Sequence, residues 1–199
     1  MALTKSGAAV DACQEIAQNT ILEGTTVDVS GCYEARLHIW FALSNATAHT
    51  GTKIIIQTSA AASGDEDWTD YHTFISITGT TNLENCTDNP LHAGDTTLLC
   101  ADTTGYTVLG SWRFLEDVST FANSEWIFQT AVTTNTSIGI LDGVTRQHAQ
   151  NSVLNSIAAV YEVLLPNDAL RVRIIYDNTY DADGATVAVK ASITKVTAI

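Results

Sequence analysis

The stretch whose reading decides the fold is Arg171-Val172-Arg173-Ile174-Ile175-Tyr176, followed by Asp177-Asn178-Thr179-Tyr180-Asp181-Ala182-Asp183-Gly184 and then by residues 185–196. β-branched side chains fit the pleated, half-buried surface of a sheet, so 171–176 reads as a strand. Asn, Asp and Gly supply the backbone angles of a turn. Val187, Val189, Ala191, Ile193 and Val196 then return mostly on one parity. The expected unit is a hairpin over 170–196, with the remaining strands packed around it as sheets.

Working outward, 33–43 alternates Tyr33, Ala35, Leu37, Ile39 and Phe41 with Glu34, Arg36, His38, Trp40 and Ala42, and the first set reads as the core face. The run Ile54-Ile55-Ile56 predicts a strand over 53–59 that is buried on both faces. A further strand is expected over 68–78 with Phe74, Ile75 and Ile77 in the core, and another over 25–30 around Val27 and Val29. Segments 112–118 and 125–132 are strand candidates, and 153–165 reads as one long strand ended by Pro166. Segment 138–151 is ambiguous and reads as a possible loop. Segment 79–110, rich in Thr and Asn and holding Pro90, is an irregular insertion. A structureless loop of that length is uncommon in a compact domain, so short strands are expected near 97–100 and 106–108. Residues 1–20 are expected to form an N-terminal arm, extended because no capping signal opens a helix there. The remaining 21–199 form a single domain. Eight to ten strands with short turn spacing and little helix predict an all-β fold, an antiparallel β-sandwich of jelly-roll type.

Composition narrows the function. Of the 199 residues, 45% are hydrophobic, enough for a core, and 16% are charged, so the polar surface is built from Thr, Asn and Ser. The net charge of −13 repels phosphates and anionic headgroups, which argues against nucleic acid and membrane as partners. No apolar run approaches the roughly 18 residues of a membrane helix, and the opening Met1-Ala2-Leu3-Thr4-Lys5-Ser6-Gly7 lacks the apolar core of a secretory leader. Cys13, Cys32, Cys86 and Cys100 show no CxxC spacing. Reduced, buried thiols are expected of a protein made in the cytosol. If oxidised, 13–32 and 86–100 are the sequence-local pairs.

Motifs for chemistry are absent. The acidic loop 64–70 and the turn around Asp177, Asp181 and Asp183 hold oxygen ligands, but neither matches a Ca²⁺ loop: with Asp181 at position 1, Thr186 stands where glycine is required. Solvated turns are the expected state, with no metal and no cofactor. His38, His49, His72, His92 and His148 stand alone, without ligand spacing. Asp142 near His148 makes no triad signal, and no nucleophile elbow or phosphate loop occurs. The chain is therefore expected not to be an enzyme. Trp40, Trp68, Trp112 and Trp126 read first as core or interface anchors and second as a sugar platform on a β-sandwich.

The run Val27-Asp28-Val29-Ser30-Gly31-Cys32-Tyr33-Glu34-Ala35-Arg36-Leu37-His38-Ile39, then Lys53-Ile54-Ile55-Ile56-Gln57-Thr58-Ser59, then Asp65-Glu66-Asp67-Trp68, and finally Arg171-Val172-Arg173-Ile174-Ile175-Tyr176-Asp177-Asn178 resembles in its order small β-sandwich proteins of tailed bacteriophages. These are encoded near the head genes, and some of that general kind decorate or cement the capsid. The resemblance implies a non-enzymatic virion protein made in the host cytoplasm and placed on the capsid surface. It also implies the major capsid protein as partner and self-association as a dimer or trimer. No catalytic residue travels with it. Leu3, Val10 and Ile16 on the arm, with Trp68 and Tyr71 by the acidic loop, are the expected contacts. A carbohydrate-binding module and a tail or neck component are the competing expectations.

Overall fold

In a computed structural model, which describes residues 3–65, 67–76, 78–180 and 184–198, the two strands expected as a hairpin are not partners. The strands in chain order are β1 (Leu3–Ile16), β2 (Ile21–Glu23), β3 (Val27–Asp28), β4 (Cys32–Leu43), β5 (Lys53–Ser59), β6 (Thr69–Ile75), β7 (Leu83–Asn85) and β8 (Thr97–Leu99). They continue as β9 (Ser111–Glu116), β10 (Glu125–Thr133), β11 (Ser137–Ile140), β12 (Val153–Asn155), β13 (Ala158–Leu164), β14 (Arg171–Asp177) and β15 (Val187–Ala198). β14 lies between β2 and β5, whereas β15 lies between β1 and β4. Between β14 and β15 the chain thus passes from one sheet to the other. Val172, Ile174 and Tyr176 face Val187, Val189, Ala191 and Ile193 across one core instead of standing beside them.

These sheets form a sandwich. One has the order β1-β15-β4-β13; the other has β2-β14-β5-β6, with β3 continuing β2 along β14. Counted along the chain without β7–β12, and with β2 and β3 as one interrupted strand, the orders are first-eighth-third-sixth and second-seventh-fourth-fifth. That is the jelly-roll arrangement of two four-stranded antiparallel sheets. Leu37, Ile39 and Phe41 are fully buried, as alternation predicts, and each contributes about 1.5–3 kcal/mol. Tyr33 is exposed, at the strand end where the β15–β4 register shifts. β5 buries Ile54 and Ile56 and leaves Ile55 half-exposed, so it is covered on one face. In β6 Phe74 is half-buried on Tyr161 while Ile75 is exposed; Ile77 lies outside the described residues.

The expected arm is β1, paired along nearly its whole length with β15 from Leu3↔Ala198 to Ile16↔Val187. A bulge at Asp11 turns that carboxylate inward, where it accepts from the Thr25 amide at 2.8 Å and the Tyr176 hydroxyl at 3.0 Å. Burial, with the Asp11 charge beside it, pushes the Tyr176 phenol well up.

The irregular middle region belongs to a second unit. β7–β12 make a six-stranded antiparallel sheet in the order β7-β12-β9-β10-β11-β8. Its two edges meet: Cys86, just after β7, bridges to Cys100, just after β8. The sheet is therefore a small closed barrel inserted between β6 and β13, and closure removes its edges. Leu91, Leu98, Tyr106, Leu115, Ile127, Ile138 and Leu154 fill it. Arg113 is buried at one end, donating to Gln129 Oε1 at 2.7 Å and to the Val108 carbonyl at 3.0 Å. Residues 106–108 form no strand, Tyr106 instead ending a 3-10 turn (Thr104–Tyr106), and the expected long strand 153–165 breaks at Ser156-Ile157 where the chain leaves the barrel.

The barrel rests on the outer face of the β1-β15-β4-β13 sheet through Phe114, which packs on Ala42 and Ala188. At this seam burial, with the Glu15 charge added, pushes the Glu116 carboxyl up from 4.5 to about 6. A raised carboxyl favours the fold at low pH and loses that contribution as pH rises through about 6. Glu116→Gln is therefore expected to stabilise the protein at pH 7.5 by up to about 1 kcal/mol after solvent screening. Urea melts of the two proteins at pH 7.5 and pH 4 check this; equal gain at both pH values would contradict it.

Candidate functional site: an aromatic groove on the barrel

The outward faces of β9 and β10 carry four aromatic rings in register, Trp112 opposite Phe128 and Phe114 opposite Trp126. Alternation along each strand sends Arg113, Leu115, Ile127 and Gln129 into the barrel and the rings out. The sandwich covers half of this ladder. Phe114 and Trp126 pack at 4.6 Å, and the Trp126 indole N–H donates to the Phe41 carbonyl at 3.1 Å. Trp112 and Phe128 remain half-exposed, edge to face at 5.2 Å. With Trp126, Leu141, Asp142 and Thr145 they line a groove of about 380 Å³.

Glu125 closes one end. Its carboxylate accepts from the Thr145 amide at 2.9 Å and the Thr145 hydroxyl at 2.7 Å, and His148 Nε2 lies 2.6 Å from its Oε1. His148 is fully buried, and its Nδ1 lies 3.5 Å from Asp117 Oδ2. Asp117 accepts from the Ser119 amide at 2.8 Å, the Ser119 hydroxyl at 2.7 Å, the Thr120 amide at 2.9 Å and the Ala149 amide at 3.2 Å. Burial pushes both carboxyls up, but these donors, with His148 on Glu125, outweigh it, and both sit below their ordinary values. Along the string Asp117–His148–Glu125 the bonds that pin the groove-wall loop are His148 Nε2 with Glu125 and the Ala149 amide with Asp117, while His148 Nδ1 makes no hydrogen bond. Both Glu125 oxygens have donors, so the carboxylate is a fixed wall charge and no nucleophile is assembled on it.

Sequence spacing offered no route to this string, because Asp117 and Glu125 are far from His148 along the chain and Asp142, the near neighbour, is not its partner. The four tryptophans do not converge: Trp112 and Trp126 share the groove, Trp40 lies near Lys190, and Trp68 is held between the guanidinium groups of Arg171 and Arg173 at 4.8 and 4.4 Å. Among the expected contacts, Val10 (7% exposed) and Ile16 (2%) are corrected: β1 pairing turns both into the sandwich core, where they cannot meet a partner. Leu3 (64%) and Tyr71 (43%) are exposed, on β1 and β6. Among the described residues no group of three or more His, Cys, Asp or Glu side chains is arranged to hold a metal. Glu66, Asp181 and Asp183 of the two acidic loops lie outside the described residues. Asp177 caps its own turn through the Thr179 amide at 3.0 Å.

No family model matches the sequence, and no curated protein matches it. Among solved structures the chain is similar to VP17, a capsid protein of bacteriophage P23-77, at 11% identity and a TM-score of 0.20, covering 100% of both chains. It is similar to a structure of infectious bursal disease virus, Gx strain, at 12% identity and a TM-score of 0.25, covering 98% of this chain and 40% of that one. The VP16–VP17 complex of the two major capsid proteins of P23-77 matches at 8% identity and a TM-score of 0.20, covering 98% and 99%. The P23-77 neighbours are capsid proteins, and likeness at this level carries no argument about function.

Proposed function

We propose that this chain is a non-enzymatic structural protein of a virion, a decoration or cement protein that binds the major capsid protein on the capsid surface. One observation carries the reading: the sandwich has uncovered strands on opposite flanks. β6 forms one edge, and Thr69, Asp70, Tyr71, His72, Thr73 and Ile75 are all exposed, Ile75 to 67%. It holds none of the Pro or Lys residues that usually blunt such an edge. β1 forms an edge on the other flank, and Leu3, Lys5, Ser6, Gly7, Ala8 and Ala9 are exposed along it, with Lys5 its one edge-blunting charge in that stretch. Two open edges on one rigid body suit a protein with a neighbour on each side in a closed assembly. Leu3 and Tyr71 are the contacts assigned to those edges.

The test is purification of the native assembly that contains the chain, with copy number by quantitative mass spectrometry and a density map. On the order of hundreds of copies over a closed shell are expected, and stripping them is expected to weaken the particle. A small set at one vertex would move the protein to neck or tail, and stripped particles of unchanged stability would remove the cementing role.

The groove favours a second reading, carbohydrate binding by the barrel. The half-exposed rings can take the apolar face of a sugar, and the exposed Asp142 carboxylate beside them can accept from its hydroxyls. Trp112→Ala is then expected to abolish sugar-dependent quenching of tryptophan fluorescence while leaving the melt within about 1 kcal/mol. A glycan array without hits would exclude this reading.

A further inference from the structure

We propose that Cys86 and Cys100 are a disulfide site, and that their bridge locks the seam of the barrel. The two residues stand directly opposite each other in antiparallel register. Their own amides point away from the seam, Cys86 N–H to the Ser152 carbonyl at 2.9 Å and Cys100 N–H to the Thr136 carbonyl at 3.0 Å. The neighbouring Thr87 amide donates across the seam to the Leu99 carbonyl at 2.8 Å. This makes Cys86 and Cys100 a non-hydrogen-bonded pair, the closer of the two antiparallel pair types, with Cα atoms typically about 4.5 Å apart. Disulfides span Cα separations of about 4.4–6.8 Å, so no strand has to move.

Position gives the bridge its consequence. Every other junction of the barrel is a ladder of three to five paired residues, whereas β7 and β8 meet at this bridge. Side chains reinforce it: Asp88 accepts from the Leu99 amide at 2.8 Å, and Glu84 accepts from the Ala101 and Asp102 amides at 3.0 Å. The seam is the weakest closure of the barrel, and a covalent link there restrains its opening.

The other sequence-local pair is excluded by register. Both Cys13 and Cys32 lie beside β15, Cys13 between the residues paired with Ala191 and Val189, and Cys32 opposite Thr197. At about 3.3 Å per residue they are roughly 20 Å apart along the strand, far beyond disulfide reach. The described thiols are free.

The chemistry is thiol–disulfide exchange with a small-molecule disulfide such as oxidised glutathione. One cysteine thiolate attacks a sulfur of that disulfide and expels one small thiolate. The second cysteine attacks the protein sulfur of the mixed disulfide and expels the other. The two protein thiol protons end on two reduced small thiols, and two electrons pass to the oxidant. Cys100 beside it and burial push the Cys86 thiol far up, so exchange occurs during folding or on opening of the seam.

The experiment is refolding of the full chain from urea in a glutathione redox buffer and, in parallel, in excess reductant, followed by alkylation and non-reducing peptide mapping. The expected result is a peptide pair linked through Cys86 and Cys100, with Cys13 and Cys32 alkylated. The bridged protein is expected to melt about 5–10 °C above the reduced one, and Cys100→Ser is expected to erase that difference. Alkylation of both Cys86 and Cys100 after oxidative refolding would overturn the proposal. So would a dominant bridge to Cys13 or Cys32, or a bridged protein that melts no higher than the reduced one.

Discussion

Replacing Asn178 by alanine is expected to destabilise the sandwich by about 3–5 kcal/mol, the summed cost of leaving several buried polar groups without partners. Asn178 is fully buried at the start of the crossover from β14 to β15. Its Oδ1 accepts from the Thr52 hydroxyl at 2.7 Å, and its Nδ2 donates to the Ile16 carbonyl at 3.3 Å and the Ala185 carbonyl at 3.1 Å. Its backbone amide donates to the Thr20 carbonyl at 2.9 Å, and its own carbonyl accepts from the Asn19 amide at 3.0 Å. One amide side chain thus ties the end of β1, the start of β5 and the approach to β15. Asn178→Asp should be equally damaging, since a carboxylate cannot donate to the two carbonyls and adds a buried charge. Urea melts should show lower midpoints at unchanged slope. A loss below about 1 kcal/mol for both variants would contradict the account.

Asp117→Ala is expected to cost about 3–4 kcal/mol in the barrel, because it strips acceptors from three backbone amides and a hydroxyl and removes the carboxylate beside buried His148. The same carboxylate sets an acid limit. Asp117 and Glu125 sit below their ordinary values in the fold. The unfolded chain therefore binds more protons in that window, and stability is complete above the ordinary carboxyl pKa of about 4 and falls as pH drops through the folded values. Glu116 has the opposite sign and loses its contribution as pH rises through about 6. Between them these three carboxyls place the most stable pH near 5, and a urea-midpoint profile from pH 3 to 8 measures it. Asp117→Ala should flatten the acid limb and Glu116→Gln the alkaline limb; a profile unchanged in either variant would show that these groups do not govern it.

Period-two alternation is a local property, and it was legible. Leu37, Ile39 and Phe41 on β4 and Val187, Val189, Ala191 and Ile193 on β15 face the core as their parity required. Contacts made by register across distant strands were not. The Asp117–His148–Glu125 string, the Trp112–Phe128 ring pair and the Trp68 stack between Arg171 and Arg173 each join residues that no spacing rule connects. Val10 and Ile16 were misplaced for the same reason: an apolar residue near a chain end looks available until the strand that covers it is known.

By itself the sequence determined that this chain is an antiparallel all-β protein, because side-chain parity and turn chemistry act over a few residues and leave their mark in order along the chain. The partners of each strand were decided by tertiary structure. The 171–176 and 187–196 stretches look like neighbours but divide between two sheets, where both bury one face in a shared core. The 79–156 region looked like an insertion followed by separate strands, and it became a closed barrel because pairing at Cys86 and Cys100 satisfies both open edges at once.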